Sequence, residues 1–221
     1  MSGEPPKNEM SSEADATSWM QWVRALQAIS QTGLHYAQNP YDTQRYREIG
    51  RLAAAILSQH TTLDAAQIVS FQAAEFGYAT PKVDVRGIVF RDDRILMVRE
   101  ILDAGRWTVP GGWADVNETP SQAVVREVRE ESGFETRAVR LLAVYDREKQ
   151  GHQPSFPFHV YKLFFLCELI GGEARPNEEA SEIDFFPRAA LPELSISRVS
   201  ESQIQHFFDL RGKPDAPAEF D

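Results

Sequence analysis

The stretch that decides the fold occupies residues 112–134 and reads GWADVNETPSQAVVREVREESGF. Its second half carries the start and stop signals of a helix. Thr119 is placed to cap the first turn, and Pro120 suits the first helical position. Gln122 completes a Thr-x-x-Gln capping box, and Gly133 can end the helix in a left-handed conformation. The spacing therefore predicts a helix that begins after Thr119 and ends at Gly133.

Three glutamates share one face of this predicted helix. With about 100° between successive residues, Glu130 lies about 60° to one side of Glu127 and Glu131 about 40° to the other. The adjoining arc is apolar and can face a core. Carboxylates this close raise one another's pKa unless a cation neutralises them. Oxygen ligands favour hard cations, so the pattern predicts a site for Mg²⁺ or Mn²⁺. A solvated helix face, with Arg126 and Arg129 offsetting the acids, is the alternative.

The spacing of the whole stretch distinguishes these alternatives, because it resembles the signature of the Nudix hydrolases position by position. The matching residues are Gly112, Glu118, Arg126, Glu127, Val128, Glu130, Glu131, Gly133 and Phe134.

The resemblance implies an α/β fold, the Nudix α/β/α sandwich with a mixed sheet. It also implies a hydrolase that cleaves a nucleoside diphosphate linked to another group, X. By position, the metal ligands are the carbonyl of Gly112 and the carboxylates of Glu127, Glu130 and Glu131, and the cofactor is Mg²⁺, with Mn²⁺ as the other candidate. Arg126 corresponds to an arginine that orients the glutamates.

The catalytic residues implied by the resemblance are Glu127, Glu130 and Arg126, with Glu118 in a supporting role. The family pattern does not fix which residue takes the proton from the attacking water. Glu182 is the candidate outside the motif, and an exposed acidic loop is the alternative interpretation of the segment around it.

The rest of the chain predicts a helical domain before a mixed α/β domain. The expected organisation is a mobile tail at 1–17, a helical N-terminal domain at 18–80, the Nudix domain at 81–212 and a tail at 213–221. In the helical domain, helices are expected from Ser18 to near Gly33, from Asp42 or Thr43 onward, and from Thr62 to about Phe76. Strands are expected at 83–90, 95–100, 136–146 and 158–169. A flexible loop is expected at 148–157, and a capped helix at 200–210.

A narrower resemblance extends over most of the chain, through residues 26–34, 78–87, 113–116 and 145–147. It is to the Nudix subgroup that includes CDP-choline pyrophosphatases and enzymes described as ADP-ribose pyrophosphatases. It implies a small nucleotide-derived substrate and a homodimer formed with the helical segment. The stripe of Trp19, Trp22 and Leu26 is compatible with a dimer, and packing within one chain explains it equally well.

Four polar or aromatic residues outside the motif are candidates for substrate binding. Arg86 and Arg99 interrupt apolar strands near the motif, and ordinary salt bridges are the alternative explanation. Trp107 can stack on a base or a ribose, or seal the core. His152 lies in the predicted flexible loop and can meet X, with a solvated loop as the alternative.

Composition narrows the class of protein. A formal net charge of −10 argues against broad binding to nucleic-acid backbones, but a bound cation still permits a small phosphorylated ligand. We expect no DNA or membrane partner, since no apolar run approaches the ~18 residues of a membrane span. Cys167, the single cysteine, sits in an apolar run and is expected to be a core thiol. Together with the absence of a signal-peptide pattern, these features predict a cytoplasmic protein.

Two other functions stay open. One is a pyrophosphohydrolase that sanitises nucleoside triphosphates or acts on RNA ends, although RNA would favour a basic groove. The other is a non-catalytic nucleotide sensor with a DNA-binding unit. Residues 1–80 contain five basic and eight acidic residues, which disfavours DNA binding.

Overall fold

The computed structural model describes residues 12–62, 64, 67–70, 75 and 77–221, and gives only the backbone for residues 12–18. The chain divides into two compact units. The first comprises the chain up to Thr80 together with Ser155–Phe158, and the second comprises Pro81–Pro154 and His159–Asp221.

The first unit is built from two long helices, α1 (Ser12–Tyr36) and α2 (Pro40–His60). They enclose a small core that includes Met20, Val23 and Leu57. Helix α1 begins before the predicted cap at Ser18, within the segment expected to be a tail. It also continues past Gly33, where the sequence predicts its end, and stops at Tyr36. A Cβ at Gly33 would lie 2.3 Å from the ring of Tyr46, so the glycine allows close packing.

Helix α2 begins slightly earlier than the sequence indicates. The side chain of Asn39 accepts a hydrogen bond from the Asp42 amide at 2.8 Å, and Pro40 occupies the first turn. Asn39 is therefore the cap, rather than Asp42 or Thr43. Of the helix predicted from Thr62 to Phe76, residues 67–70 are helical. Much of the remainder lies outside the described residues.

The second unit is a mixed sheet between two helices. Its strands are β1 (Lys82–Arg91), β2 (Arg94–Glu100), β3 (Trp107–Thr108), β4 (Phe134–Asp146), β5 (Val160–Gly172), β6 (Ala180–Pro187) and β7 (Glu219–Phe220), and its helices are α3 (Pro120–Ser132) and α4 (Glu201–Arg211). The order is β3-β2-β1-β5-β4-β7, with β6 paired to β2. Strand β1 is parallel to β5, and β4 is parallel to β7, while the other pairs are antiparallel.

Alternation along β1 directs side chains to two separate cores. Val85 and Val89 pack with Val124 and Val128 of α3. Ile88 packs on the other side with Phe207 of α4. The predicted α/β/α sandwich with a mixed sheet is confirmed. Cys167 is buried in the α3 core, as expected for a core thiol.

Three short strands were not predicted. Residues 180–187 form β6, where an acidic loop was one interpretation, because pairing with β2 supplies backbone partners that the local sequence does not reveal. Strand β3 is only two residues long. The expectation of a mobile tail at 213–221 is wrong, because β7 pairs with β4 and the Glu219 carboxylate accepts a hydrogen bond from the Tyr145 hydroxyl at 2.9 Å.

The segment 148–157 is not the open loop that was expected at His152, because the His152 side chain is packed inside the protein and only 2% exposed. In the part of the chain that the structure describes, no helix is both long enough and apolar enough to cross a membrane.

Candidate active site

Helix α3 positions the site, and its two ends are built as the sequence predicts. The Thr119 hydroxyl accepts from the Gln122 amide at 3.3 Å, and the Gln122 side chain accepts from the Thr119 amide at 2.9 Å. At the other end Gly133 adopts a left-handed φ of 77°, and its amide donates to the carbonyl of Arg129 at 2.8 Å. The predicted capping box and glycine stop are both confirmed.

The loop before the helix is fixed along the edge of β1. The amides of Val85 and Gly87 donate to the carbonyls of Gly112 and Pro110, both at 2.8 Å. Gly111 has a φ of 143°, and a Cβ there would lie 2.1 Å from the carbonyl oxygen of Val85. Only glycine tolerates that combination of backbone angle and contact. The close approach to β1 therefore depends on Gly111.

Two of the three motif glutamates reach this loop. The Glu131 carboxylate accepts from the Gly111 amide at 2.8 Å. The Glu127 carboxylate lies so close to Gly112 that a Cβ there would be 2.9 Å from its Oε2. Glu130, on the same helix, keeps a half-exposed side chain. The carboxylates of Glu127 and Glu131 thus converge on the backbone of residues 111–112.

Arg126 connects the acids of the motif. Its Nη1 donates to Glu127 at 2.7 Å and to Glu130 at 3.0 Å. Its Nε and Nη2 both donate to Glu118 at 2.9 Å. These bonds, followed by the positive charge of Arg126, lower the pKa of Glu118. The geometry matches a guanidinium that holds several carboxylates in place.

Without a cation nearby, the surroundings of Glu127 and Glu131 disfavour the ionised forms of these carboxylates. Burial raises the pKa of Glu131 to about 8 and also raises the pKa of Glu127. Their oxygens and the Gly112 carbonyl are the hard donors that Mg²⁺ and Mn²⁺ prefer, so the donor set fits a divalent cation in kind. Across the described residues, no three acidic, histidine or cysteine side chains are already gathered closely enough to enclose an ion.

Arg86 lies in the interior rather than on an open surface. Its Nε and Nη2 donate to the two oxygens of Asp84 at 2.8 and 2.7 Å. Lys162 of β5 donates to the same carboxylate at 2.9 Å, and all three residues are buried. Burial acts to raise the pKa of Asp84, but the charges of Arg86 and Lys162 outweigh it and lower that pKa. The salt-bridge alternative for Arg86 is thus observed.

Trp107, Arg99 and Glu182 lie together in a second region. Trp107 and Glu182 line a groove of about 510 Å³ with Asp184 and Phe186. The Arg99 Nη1 donates to the Glu182 carboxylate at 2.5 Å. The Trp107 ring meets the Phe186 ring edge to face, with centroids 4.7 Å apart. The structure therefore places the base candidate Glu182 beside the stacking candidate Trp107.

His152 is enclosed by protein. Its Nδ1 lies 3.0 Å from the carbonyl of Ile196, and its Nε2 lies 3.3 Å from the side-chain Nε2 of Gln203. Burial, and then the charge of Lys162, lowers the pKa of His152 to about 4. The predicted contact of His152 with X and the alternative of a solvated histidine both require an exposed ring, so the buried ring contradicts both.

Two polar residues of these regions were not singled out from the sequence. Lys162 interrupts the apolar strand at 158–169, and that interruption was the available signal. Asp184 alternates with Ile183 and Phe185, which is the pattern of an outward position in a strand. Neither signal identifies the residues that are met in the fold. Lys162 meets Asp84, and Asp184 lines a groove with Trp107, only because strands far apart in the sequence pair.

Sequence comparison assigns the class of protein. Residues 80–207 match the model of the NUDIX domain, and residues 17–71 match a model described as a UDP-X-like N-terminal oligomerisation domain. The chain therefore belongs to the Nudix family and is a hydrolase of phosphoric anhydrides, with the helical N-terminal segment of one of its subgroups.

Individual relatives agree with this class. The chain is 40% identical over 205 residues to YjhB of Bacillus subtilis strain 168, provisionally named an ADP-ribose pyrophosphatase, covering 93% of this chain and 98% of YjhB. A solved structure of a UDP-X diphosphatase is 29% identical, with a TM-score of 0.58 over 93% of this chain and 99% of that chain. An ADP-ribose pyrophosphatase of Streptococcus suis 89-1591 is 36% identical, with a TM-score of 0.57 over 64% of this chain and 100% of that chain.

Proposed function

We propose that the protein is an Mg²⁺- or Mn²⁺-dependent pyrophosphohydrolase of nucleoside diphosphates linked to X, of the ADP-ribose or CDP-choline type. The products are a nucleoside monophosphate and phosphorylated X. The observation that carries the proposal is the convergence of the Glu127 and Glu131 carboxylates on residues 111–112, in surroundings that disfavour their charged forms. The names of YjhB and of the two solved relatives, which refer to ADP-ribose and UDP-X, support the substrate class.

In this proposal Glu127, Glu130, Glu131 and the carbonyl of Gly112 hold the cation. When bound, a divalent cation neutralises a pyrophosphate and lowers the pKa of a bound water. The Gly112 carbonyl accepts one hydrogen bond from Val85, and a carbonyl oxygen has two lone pairs. It therefore keeps one lone pair for a metal.

The remaining roles belong to side chains that orient groups or move a proton. Arg126 keeps Glu127 and Glu130 in fixed positions through its Nη1. Glu130 is half-exposed, so a water can reach it, and we assign it the proton-accepting role. Glu182 is the competing candidate. Each of the two carboxylates has one oxygen bound by an arginine, Glu130 by Arg126 and Glu182 by Arg99. We prefer Glu130 because it lies on the helix that carries the proposed metal ligands.

A substrate panel tests the proposed function. The full chain is incubated with ADP-ribose, CDP-choline, NADH, dinucleoside polyphosphates and deoxynucleoside triphosphates, with Mg²⁺, Mn²⁺ or a chelator, and the products are separated by chromatography. We expect cleavage of X-linked diphosphates to a nucleoside monophosphate, and loss of cleavage with the chelator. Preferred cleavage of triphosphates would favour the sanitising function. Cleavage of none of them with either metal would refute the proposal.

We further propose that the first unit makes the protein a homodimer. Trp22, Ile29 and Tyr36 are exposed and are spaced seven residues apart on α1, so they share one face of the helix. The match of this segment to an oligomerisation domain supports that role. Exposed apolar side chains in such a row are typical of a surface that another chain covers.

Light scattering after size exclusion tests this role with two matched substitutions. Trp22→Glu is expected to shift the mass from two chains towards one, because it places a charge in the proposed interface. Ile170→Glu introduces the same charge at an exposed apolar residue of the second unit and should leave the mass unchanged. A Trp22→Glu protein with the parental mass would contradict the assignment of this face.

A further inference from the structure

The groove beside Trp107 has the chemistry of a site for a sugar. Its lining includes the aromatic rings of Trp107 and Phe186 and the carboxylates of Glu182 and Asp184, around a volume of about 510 Å³. Resting on the proposed function, we infer that this groove binds an uncharged, hydroxylated sugar ring within X, while the phosphates lie at the motif glutamates.

The two carboxylates define which ligand atoms can face them. An ionised carboxylate only accepts hydrogen bonds, so a bound group must present donors. Glu182 is held by the Arg99 Nη1 at 2.5 Å, and the Asp184 Oδ1 accepts from the Phe185 amide at 2.7 Å. Each carboxylate is thus oriented by one bond and retains further lone pairs. Neighbouring hydroxyl groups of a sugar supply donors at matching short spacing.

Charge excludes the phosphate end of the substrate from the groove. Arg99 offsets Glu182, and Asp184 leaves a formal charge of −1 on these three side chains. A phosphate would meet repulsion there, whereas neutral hydroxyls would not. A quaternary ammonium would be attracted by this charge and by the Trp107 ring, but it would leave the carboxylate lone pairs without hydrogen-bond donors, which sugar hydroxyls supply. The Trp107 ring supplies an apolar surface for the carbon-bound face of a sugar.

One wall of the groove is tied to the helix that carries the glutamates. Pro176 lines the groove, and the next residue, Asn177, donates from its side chain to the carbonyl of Glu130 at 2.6 Å. The Ser181 hydroxyl, on β6, donates to the carbonyl of Arg99, on β2, at 3.2 Å. These bonds fix the groove beside α3. A sugar joined to a phosphate at the glutamates can therefore enter it, and a substrate that keeps the nucleoside but lacks the sugar of X distinguishes the two sugars.

Two substrates that differ only in X test the inference. ADP-ribose carries the sugar, and the ethyl ester of ADP carries the same nucleotide with an X that has no hydroxyls. For Asp184→Asn we expect the KM for ADP-ribose to rise about tenfold, which corresponds to about 1.4 kcal/mol, while kcat stays within about twofold. The KM for the ethyl ester should change by less than about twofold. Trp107→Phe should show the same selectivity, with a smaller effect.

Glu178→Gln is the matched control, because it removes a nearby exposed acid that does not line the groove. It should leave both substrates unchanged. Circular dichroism and thermal melting identify any variant that fails to fold, and the milder Trp107→Phe variant then supplies the kinetic comparison.

Glu182→Gln separates a sugar contact from a proton acceptor. A selective rise in the KM for ADP-ribose supports the groove. A fall in kcat on both substrates assigns Glu182 to proton transfer and contradicts its role here. If folded Asp184→Asn and Trp107→Phe affect both substrates equally, or neither, the groove does not bind the sugar of X. If the parental protein cleaves neither of these two substrates but cleaves another X-linked diphosphate of the panel, only the inference is overturned. If it cleaves no substrate of the panel with Mg²⁺ or Mn²⁺, the proposed function falls and this inference with it. If the parental protein cleaves both ADP-ribose and the ethyl ester of ADP, but no variant affects one substrate more than the other, only the inference is overturned.

Discussion

Two of the groups of buried or half-buried charge in the second unit have opposite characters. The motif group consists of Glu118, Glu127, Glu130 and Glu131 with Arg126. The Asp84 group consists of Asp84, Arg86 and Lys162. In the motif group burial raises the pKa of Glu127 and Glu131, whereas in the Asp84 group two contacting cations lower the pKa of Asp84 in spite of its burial.

The difference lies in how fully each carboxylate is paired inside the protein. Both oxygens of Asp84 bind cationic side chains at 2.7–2.9 Å, so its charge is satisfied and contributes to the fold. Glu131 has the Gly111 amide as its hydrogen-bond donor and a pKa raised by burial. The ionised form of such a carboxylate is stabilised more by a bound cation than by its contacts within the protein. Burial alone thus does not distinguish a structural charge from a functional one, while its partners do.

The largest effect on stability is expected in the Asp84 group. Asp84→Asn should lower the free energy of unfolding by about 3 kcal/mol or more, because it leaves Arg86 and Lys162 buried without their carboxylate. Glu131→Gln is the matched change in the motif group. It should change the free energy of unfolding by less than about 1 kcal/mol without metal, since the Glu131 carboxyl, with a pKa of about 8, is mostly protonated at pH 7. Urea unfolding with chelator measures both, and equal destabilisation would remove the contrast.

The motif group should dominate activity instead. Glu130→Gln is expected to lower turnover by a factor of at least ~10² with an unchanged melting temperature, because it removes a proposed metal ligand and proton acceptor. Glu178→Gln, which changes an exposed acid outside the motif, serves as the control. Turnover near the parental value in Mg²⁺ would show that Glu130 does not perform this role.

The Asp84 group also predicts a dependence of stability on pH through His152. Burial and the charge of Lys162 hold the His152 pKa at about 4 in the folded protein, below its ordinary 6.5. The unfolded chain therefore binds the proton more readily between those values. This stabilisation is present above about pH 6.5 and is lost as the pH falls towards 4.

Denaturant unfolding across this pH range tests the linkage. The parental protein should lose roughly 2.5 kcal/mol more than His152→Gln between pH 6.5 and 4. His35→Gln, at an exposed histidine of the first unit, should behave like the parent. Parallel curves for the parent and His152→Gln would show that His152 does not titrate in this way.

The smallest effect concerns the caps of the two helices. Thr119→Ala on α3 and Ser200→Ala on α4 each remove one capping box, so each should lower the free energy of unfolding by about 1 kcal/mol. Only Thr119→Ala should also raise the Mg²⁺ concentration needed for half-maximal activity, because α3 carries the motif glutamates. If both variants need the same Mg²⁺ concentration for half-maximal activity, the Thr119 cap does not help to position the motif glutamates.

Much of the site follows from local sequence, as helix α3 illustrates. Its caps, its apolar face and the shared face of its glutamates all depend on residues within four positions of one another. The groups outside the motif follow a different rule. Lys162 meets Asp84 because β5 lies beside β1 in register, across 78 positions of sequence. No local pattern predicts such a partner, and Arg86 and His152 were therefore expected near substrate although they are enclosed by protein.

The sequence by itself determined the helix of residues 120–132, its glutamate face and the membership of the chain in the Nudix family. Spacing along a helix translates directly into direction around it, so these features needed no knowledge of distant contacts. The tertiary structure decided which charges are satisfied internally, where β6 and β7 pair, and that Trp107, Glu182 and Asp184 share one groove. Those properties depend on strand register and burial, which arise only when segments far apart in the chain pack together.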